Sequence, residues 1–320
     1  MSKLDVILDK TKLLIKGQIE NNRIFNTGIP FDYVQKVYYS TNENINGYMS
    51  LFDLCNKDIL TVMASGDHPF NACFYKASSI DTFDTNVLTK FYALGIKRSA
   101  ILAFNYYEYL KFYKRIVSNN LSLEELNSLI SKLYPYMDTI DKIFWKNIID
   151  YNNSLQKNNV NPINLFRMLL INITQINEEI RKNSYLLNKD NYNILRNRLS
   201  NLNINFYNIE CLDLPNILKN KYDYIFLSNI ADYFYNSFNY YWKYDSLKKV
   251  QNSFDNILNN DGLLFINYLY NFYSSISKKY HNILANGSSL KLSDLTSEEY
   301  YTFDSINHSN IKDGVLVKRK

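Results

Sequence analysis

The sequence predicts an α/β fold: a mostly parallel, Rossmann-like sheet with an antiparallel edge hairpin, an N-terminal helical region and a helical insertion. Three observations predict it. Between residues 58 and 113, short apolar runs that end in small or polar residues alternate with helical stretches, the pattern of buried parallel strands joined by crossover helices. Apolar runs of the same kind return between residues 203 and 267. The stretch between them, residues 114–200, shows helical periodicity and no strand pattern.

Taken in order, Leu4, Ile7, Leu8, Leu13, Leu14 and Ile15 fall at helical spacing. Gly28, Ile29 and Pro30 interrupt it before another expected helix, so residues 1–55 read as a mainly helical region and 56–320 as the sheet domain. The first strand is Ile59-Leu-Thr-Val-Met63, closed by Ala64-Ser65-Gly66-Asp67. Pro69 suits the first turn of a helix that runs to about Tyr75. Ser79 to Asp84 is the second strand, and Asn86 to Tyr113 reads as one or two helices. In the insertion, Ser122 and Glu125 have capping-box spacing. Asn203 to Asn208 and Tyr222 to Ser228 are the third and fourth strands, with a helix over Tyr240 to Leu258. Asp261-Gly262 is expected to turn into a fifth strand, Leu263 to Asn267. Tyr300 to Ile306 and Val315 to Lys318 are expected to pair across Lys312-Asp313-Gly314, since Asp-Gly is a hairpin signal.

Composition narrows the function classes. Of 320 residues, 46% are hydrophobic and 21% charged, as in folded globular proteins. The net charge of +5 comes from scattered Lys and Arg, dense only at Lys318-Arg319-Lys320. A nucleic-acid protein would show a basic stripe with interleaved aromatics, so none is expected as partner. Cys55, Cys73 and Cys211 stand singly, and His68, His281 and His308 are far apart. This argues against a disulfide framework and against a metal site. No apolar run approaches the ~18 residues of a membrane helix, and the first ten residues lack a signal-peptide layout. A cytoplasmic protein with no transmembrane segment is expected.

The candidate site follows from topology. In an open parallel sheet, ligands sit beyond the carboxyl ends of the strands where the strand order reverses. Ala64, Ser65, Gly66 and Asp67 end the first strand, and small residues there let a ligand approach the backbone. Asp84 ends the second strand at about the spacing expected of a ribose-hydroxyl acceptor; a turn aspartate is the alternative. The first turn lacks GxGxxG, which disfavours a pyrophosphate and hence NAD. A ribose-bearing cofactor without phosphates fits better, and S-adenosylmethionine is the commonest. Asp213, after the third strand, would accept from the adenine amino group or cap a helix. Ser228, Asn229, Asp232 and Tyr233 follow the fourth strand and would face the same crevice. For His68, a helix N-cap or a solvent-exposed side chain is the favoured reading over proton transfer; Trp145 and Cys73 read as packing residues.

Ile59 to Asp67, Phe70-Asn71-Ala72 and Ile80 to Asn86 together resemble class I S-adenosylmethionine-dependent transferases. More narrowly, the chain is similar to the betaine-lipid type of 3-amino-3-carboxypropyl transferases and their uncharacterised bacterial relatives. Four further segments carry this: Tyr39-Ser40 with Glu43-Asn44, Leu94 to Ile101, Tyr107 to Leu110, and Leu227-Ser228-Asn229-Ile-Ala-Asp232-Tyr233. The family shows Ser-Gly-Gly where this chain has Ser65-Gly66-Asp67. The resemblance implies that Ser65 and Gly66 border the methionine part of the cofactor and that Asp84 binds its ribose; Ala64, Asp67 and Asn86 are further cofactor-binding candidates. It implies that Ser228, Asn229 and Asp232 hold the methionine part or the acceptor, with Asp232, Asn229 and Tyr233 as the catalytic candidates. The implied acceptor is a small molecule or lipid-like nucleophile. Methyl transfer on the same sheet is the alternative, as is a catalytically inactive S-adenosylmethionine-binding protein.

Overall fold

The computed structural model describes residues 3–25, 36–156, 165–171, 173, 175–229, 250–267, 298–304 and 312–320. Its strands are β1 (Val37–Tyr38), β2 (Asp58–Val62), β3 (Ser79–Phe83), β4 (Leu170–Ile171), β5 (Ile204–Tyr207), β6 (Tyr222–Phe226), β7 (Leu258–Asn267), β8 (Glu298–Asp304) and β9 (Lys312–Arg319). The helices used below are α1 (Lys3–Phe25), α2 (Ile45–Met49), α3 (Asp67–Phe74), α4 (Leu88–Lys90), α5 (Ser99–Ala103), α6 (Tyr106–Ile116), α7 (Leu123–Ser131) and α8 (Thr139–Gln156). The chain divides into two compact units: Met1–Ser40, Ala64–Gly66 and Asn86–Ile176 form one, and Thr41–Met63, Asp67–Thr85 and Asn177–Lys320 the other.

The second unit holds the seven-stranded sheet, in the order β5-β3-β2-β6-β7-β9-β8. β5, β3, β2, β6 and β7 are mutually parallel. β9 is antiparallel to both β7 and β8 and so forms the antiparallel edge. The strand order reverses at β2, whose neighbours are β3 and β6. β2 and β6 are short and apolar because both of their faces are covered. Alternation divides their side chains. Leu60, Ile225, Leu264, Ile266 and Leu316 join one core cluster with Leu214, Phe254 and Ile257. Tyr224, Phe226 and Phe265 gather separately: Phe226 stacks on Phe265 at 4.3 Å between centroids, and Phe52 meets Phe265 edge-on at 4.7 Å. Each such buried ring contributes about 1.5–3 kcal/mol through removal from water.

Two turn expectations change. Asp313 and Gly314 lie inside β9, paired with Phe303 and Thr302, so Asp-Gly does not form the hairpin turn. Register is set instead by the apolar run Val315-Leu316-Val317, which is fully buried against β7. Asp261-Gly262 likewise lies inside a longer strand, β7, at a register shift opposite Tyr222 and Tyr224. Asp261 takes a left-handed φ of 63° there. A Cβ on Gly262 would stand 3.1 Å from the Asp223 carbonyl and 2.9 Å from that of Asn259, so only glycine fits this bulge.

In the first unit, α1 packs on α8, and its Ile15 and Ile19 are fully buried. The expected capping box is present at α7: Glu125 N donates to Ser122 Oγ at 3.1 Å, and Ser122 N to the Glu125 carboxylate at 2.9 Å. β1 and β4 form a two-stranded parallel ladder, Val37 with Leu170 and Tyr38 with Ile171. This adds a short strand to the mainly helical region before residue 55 and corrects the expectation of no strand between 114 and 200; two-residue strands leave no periodicity to detect. The helix that begins at α4 runs through a π-helical stretch, Phe91–Arg98, into α5. The Phe91 carbonyl accepts from Trp145 Nε1 at 2.7 Å, and Gly95 makes room for it, since a Cβ there would lie 2.8 Å from that nitrogen. Trp145 is therefore a packing residue, as expected. Asp141, on α8, pairs with Lys90 beside this stretch. Burial pushes the Asp141 carboxyl up to about 6, against the pull of Lys90.

Among the described residues no helix is long and apolar enough to cross a membrane.

Candidate functional site

The sheet brings the carboxyl ends of β3, β2, β6 and β7 side by side in the second unit. The last residues of β2 and β3, Val62 and Phe83, are partners, and the Met63 amide donates to the Phe83 carbonyl at 2.9 Å. Asp84 follows Phe83 directly, half-buried, its amide held by the Tyr207 carbonyl at 3.2 Å and its carbonyl by Asn208 Nδ2 at 3.0 Å. The chain that leaves β2 turns through Ala64 and Gly66, at left-handed φ of 40° and 85°. Ser65 is fully buried between them. Asn86 accepts from the Leu88 amide at 3.0 Å and donates to the Lys36 carbonyl at 2.8 Å. Asp213 sits exposed at the N-cap of the short helix Leu214–Ile217 but makes no side-chain cap bond. Asp232 and Tyr233 lie outside the described residues, while Asn229 is half-buried next to Ser228.

Asp67, the acid that replaces a glycine of the resembling family, is fully buried in the first turn of α3. Its carboxylate accepts from the Thr41 amide and from Tyr185 Oη, both at 2.8 Å. Asn71, one turn on, donates to Asn183 at 2.8 Å and accepts from the Ser184 amide at 2.9 Å. These bonds tie the start of α3 to residues 41 and 183–185, which explains an acid at the end of this loop.

Among the described residues of the second unit, a dense polar arrangement is centred on Glu43. Its Oε2 accepts from Asn267 Nδ2 at 3.0 Å and Tyr48 Oη at 3.2 Å, and lies 3.0 Å from His68 Nε2. Its Oε1 accepts from Ser228 Oγ. All five side chains are buried. Burial by itself would raise the Glu43 carboxyl; the electrostatic pull of the neighbouring His68 ring and the bonds from His68, Asn267 and Ser228 outweigh it, and the net direction is down. Burial and the Glu43 charge together push the Tyr48 phenol well up. Among the described residues, His68 Nδ1 and Asn267 Oδ1 are buried without a hydrogen-bond partner.

The topology explains the convergence. His68 is the second residue of α3, directly after the β2 turn; Ser228 follows β6; Asn267 ends β7. The Asn267 amide donates to the Ser228 carbonyl at 2.9 Å, and Ser228 takes a left-handed φ of 57°. Strain of this kind in a non-glycine residue collects at functional sites. His68 is thus neither an N-cap nor exposed, contrary to expectation. The reason is a tertiary one: the partner that makes its burial tolerable, Glu43, is remote in sequence. Ser228 and His68 each bond Glu43 and not one another, so this is not a serine–histidine relay. Glu43 and Asn267 were not singled out as site residues by the sequence. The signal was present, since Asn267 ends a buried apolar strand in a polar residue just as Ser228 does, and Glu43 lies in a segment that carries the family resemblance.

A mostly parallel sheet that reverses at β2 and closes with an antiparallel edge pair is a Rossmann-like α/β fold. The strand order itself defines that class. No family model matches the chain, and no curated protein matches it. Among solved structures it is similar to an rRNA methylase from Streptococcus thermophilus, at 8% identity over 85% of this chain and 95% of that chain, with a TM-score of 0.30.

Proposed function

We propose that this chain is an S-adenosylmethionine-dependent transferase. The observation that carries the reading is the pairing of Val62 with Phe83, which sets the ends of β2 and β3 next to each other at the point where strand order reverses. Adenosine-bearing ligands of open α/β sheets bind beyond such strand ends. The residues fit the cofactor. Asp84 carries a carboxylate, the kind of acceptor that ribose hydroxyls take. The turn of Ala64, Ser65 and Gly66 would border the methionine part with backbone rather than bulky side chains. Asp213 is the exposed acceptor proposed for the adenine amino group. The sulfonium supplies an activated carbon; what the protein adds is placement of the acceptor in line with it, an effect worth up to ~7–11 kcal/mol.

Within this class we favour transfer of the 3-amino-3-carboxypropyl group, on the narrower family resemblance, with methyl transfer as the alternative. Ser228 and Asn229, with Asp232 and Tyr233, are the residues proposed to hold the methionine part or the acceptor, a small-molecule or lipid-like nucleophile. Calorimetry with S-adenosylmethionine on the wild type and Asp84→Ala tests the cofactor reading. Loss of hydrogen bonds to a charged acceptor costs about 1.5–3 kcal/mol, so binding should weaken about tenfold or more. Equal affinities would remove Asp84 from the site. Methylthioadenosine as product identifies aminocarboxypropyl transfer, and S-adenosylhomocysteine identifies methyl transfer.

A further inference from the structure

We infer that His68 is the proton acceptor of the transfer reaction, with Glu43 as the residue that positions its ring. The inference rests on the S-adenosylmethionine reading and assigns a catalytic base within it. The Glu43 carboxylate only accepts hydrogen bonds, and it is fixed from three further directions by Tyr48, Asn267 and Ser228. A neutral His68 ring at 3.0 Å from Oε2 must therefore carry its hydrogen on Nε2. That leaves the lone pair on Nδ1, the logic by which a carboxylate orients a histidine base. Nδ1 is buried and, among the described residues, meets no donor. Buried polar atoms are normally satisfied, so one left open asks for an external partner.

A second open acceptor supports the same reading. The Asn267 amide must turn its Nδ2 toward the carboxylate, which leaves Oδ1 buried without a partner as well. The two open atoms belong to groups that hang from the same Glu43 oxygen, and both are acceptors. A nucleophile that carries hydrogen, an amine or a hydroxyl, is the complement. His68 also follows Gly66, in the turn assigned to the methionine part, by two residues.

In the transfer step, the lone pair of the acceptor nitrogen or oxygen attacks the carbon bound to the sulfonium. The carbon–sulfur bond breaks, and its electron pair returns to sulfur as a neutral thioether. The proton released from the acceptor passes to Nδ1 of His68. The resulting imidazolium keeps its Nε2–H on the Glu43 carboxylate, which stabilises the new charge, and the proton leaves to water after product release.

The test uses the full chain with 15N-labelled histidine, and has two parts. Calorimetry first establishes whether S-adenosylmethionine binds; absence of binding overturns the cofactor reading and this inference with it. Imidazole 15N shifts are then recorded with S-adenosylhomocysteine present at pH 8. His68 is assigned by elimination, through His281→Gln and His308→Gln, so no change at the site itself is required. The expected result is a single tautomer with Nε2 protonated and Nδ1 bare, which becomes a mixture of tautomers in Glu43→Gln. A bound protein whose His68 Nδ1 carries the hydrogen overturns the inference and leaves the cofactor reading standing. So does an unchanged tautomer in Glu43→Gln for the positioning role of Glu43.

Discussion

His68 Nε2 lies 3.0 Å from Oε2 of Glu43, and both side chains are buried, although 25 residues separate them in the chain. The contact unites a segment that precedes the sheet with the helix that follows its first strand. It makes a charged carboxylate acceptable inside the protein, because a buried charge is tolerated only when it is paired and hydrogen-bonded.

Glu43→Gln should destabilise the fold by about 3–5 kcal/mol, the usual cost of breaking a buried pair by removing one partner. The amide has one acceptor oxygen where the carboxylate had two, and four groups converge on it. The effect is pH-dependent. Since the folded carboxyl lies below its ordinary value, its stabilisation is complete above the ordinary glutamate range of about 4.3. It is lost as pH falls from there through the folded value. Urea unfolding at pH 7 and at progressively lower pH checks this. The gap between wild type and variant should be full at pH 7 and shrink on acidification; a gap that grows toward acid would contradict the assignment.

Asp67→Gly restores the residue of the resembling family and should nonetheless destabilise this protein by about 2–4 kcal/mol. The change removes the acceptor of the Thr41 amide and of Tyr185 Oη, bonds to a charged group worth about 1.5–3 kcal/mol. It also adds backbone freedom to the unfolded chain. Asp67→Asn keeps one acceptor oxygen and should fall between. Denaturant midpoints give the order; a variant as stable as the wild type would mean that the carboxylate does not anchor α3.

Asp141 acts in the opposite sense to Glu43. Its folded value of about 6 lies above its ordinary value of 3.8, burial being the first cause. The folded state therefore holds the proton more tightly than the unfolded chain does. Stability should be highest below the ordinary aspartate range, fall as pH rises through about 6, and level off above it. The difference between the two values corresponds to roughly 3 kcal/mol. Asp141→Asn leaves Lys90 unpaired but cannot titrate, so the variant should lose this slope. Unfolding free energies between pH 4 and 7.5, compared as wild type minus variant, read it directly; parallel curves would refute it.

How much of this was legible in the sequence differs by element. β2, β3, β6 and β7 were readable because buried parallel strands are short apolar runs whose signal is local. The capping box at Ser122 and Glu125 was readable for the same reason, since both partners lie within one turn. Asp313-Gly314 and Asp261-Gly262 misled because Asp-Gly reports a local backbone preference, whereas pairing along β9 and β7 is decided by which apolar residues meet across the sheet. β1 and β4 were invisible because each is two residues long and exists only through the other.

The alternation of strand and helix, the turn at Ala64–Gly66, the aspartate after β3 and the polar residues after β6 are all patterns written within a few consecutive residues, and they can be read before any folding is considered. The order of the strands, and what their ends hold in common, emerge only when the chain is folded. His68, Ser228 and Asn267 become neighbours because parallel strands β2, β6 and β7 end at one level, and Glu43 is drawn in to meet them. Each of these four residues is ordinary within its own segment. A buried carboxylate with four partners is a property of chain segments far apart in sequence, and hydrogen bonds between such segments leave no periodicity to read.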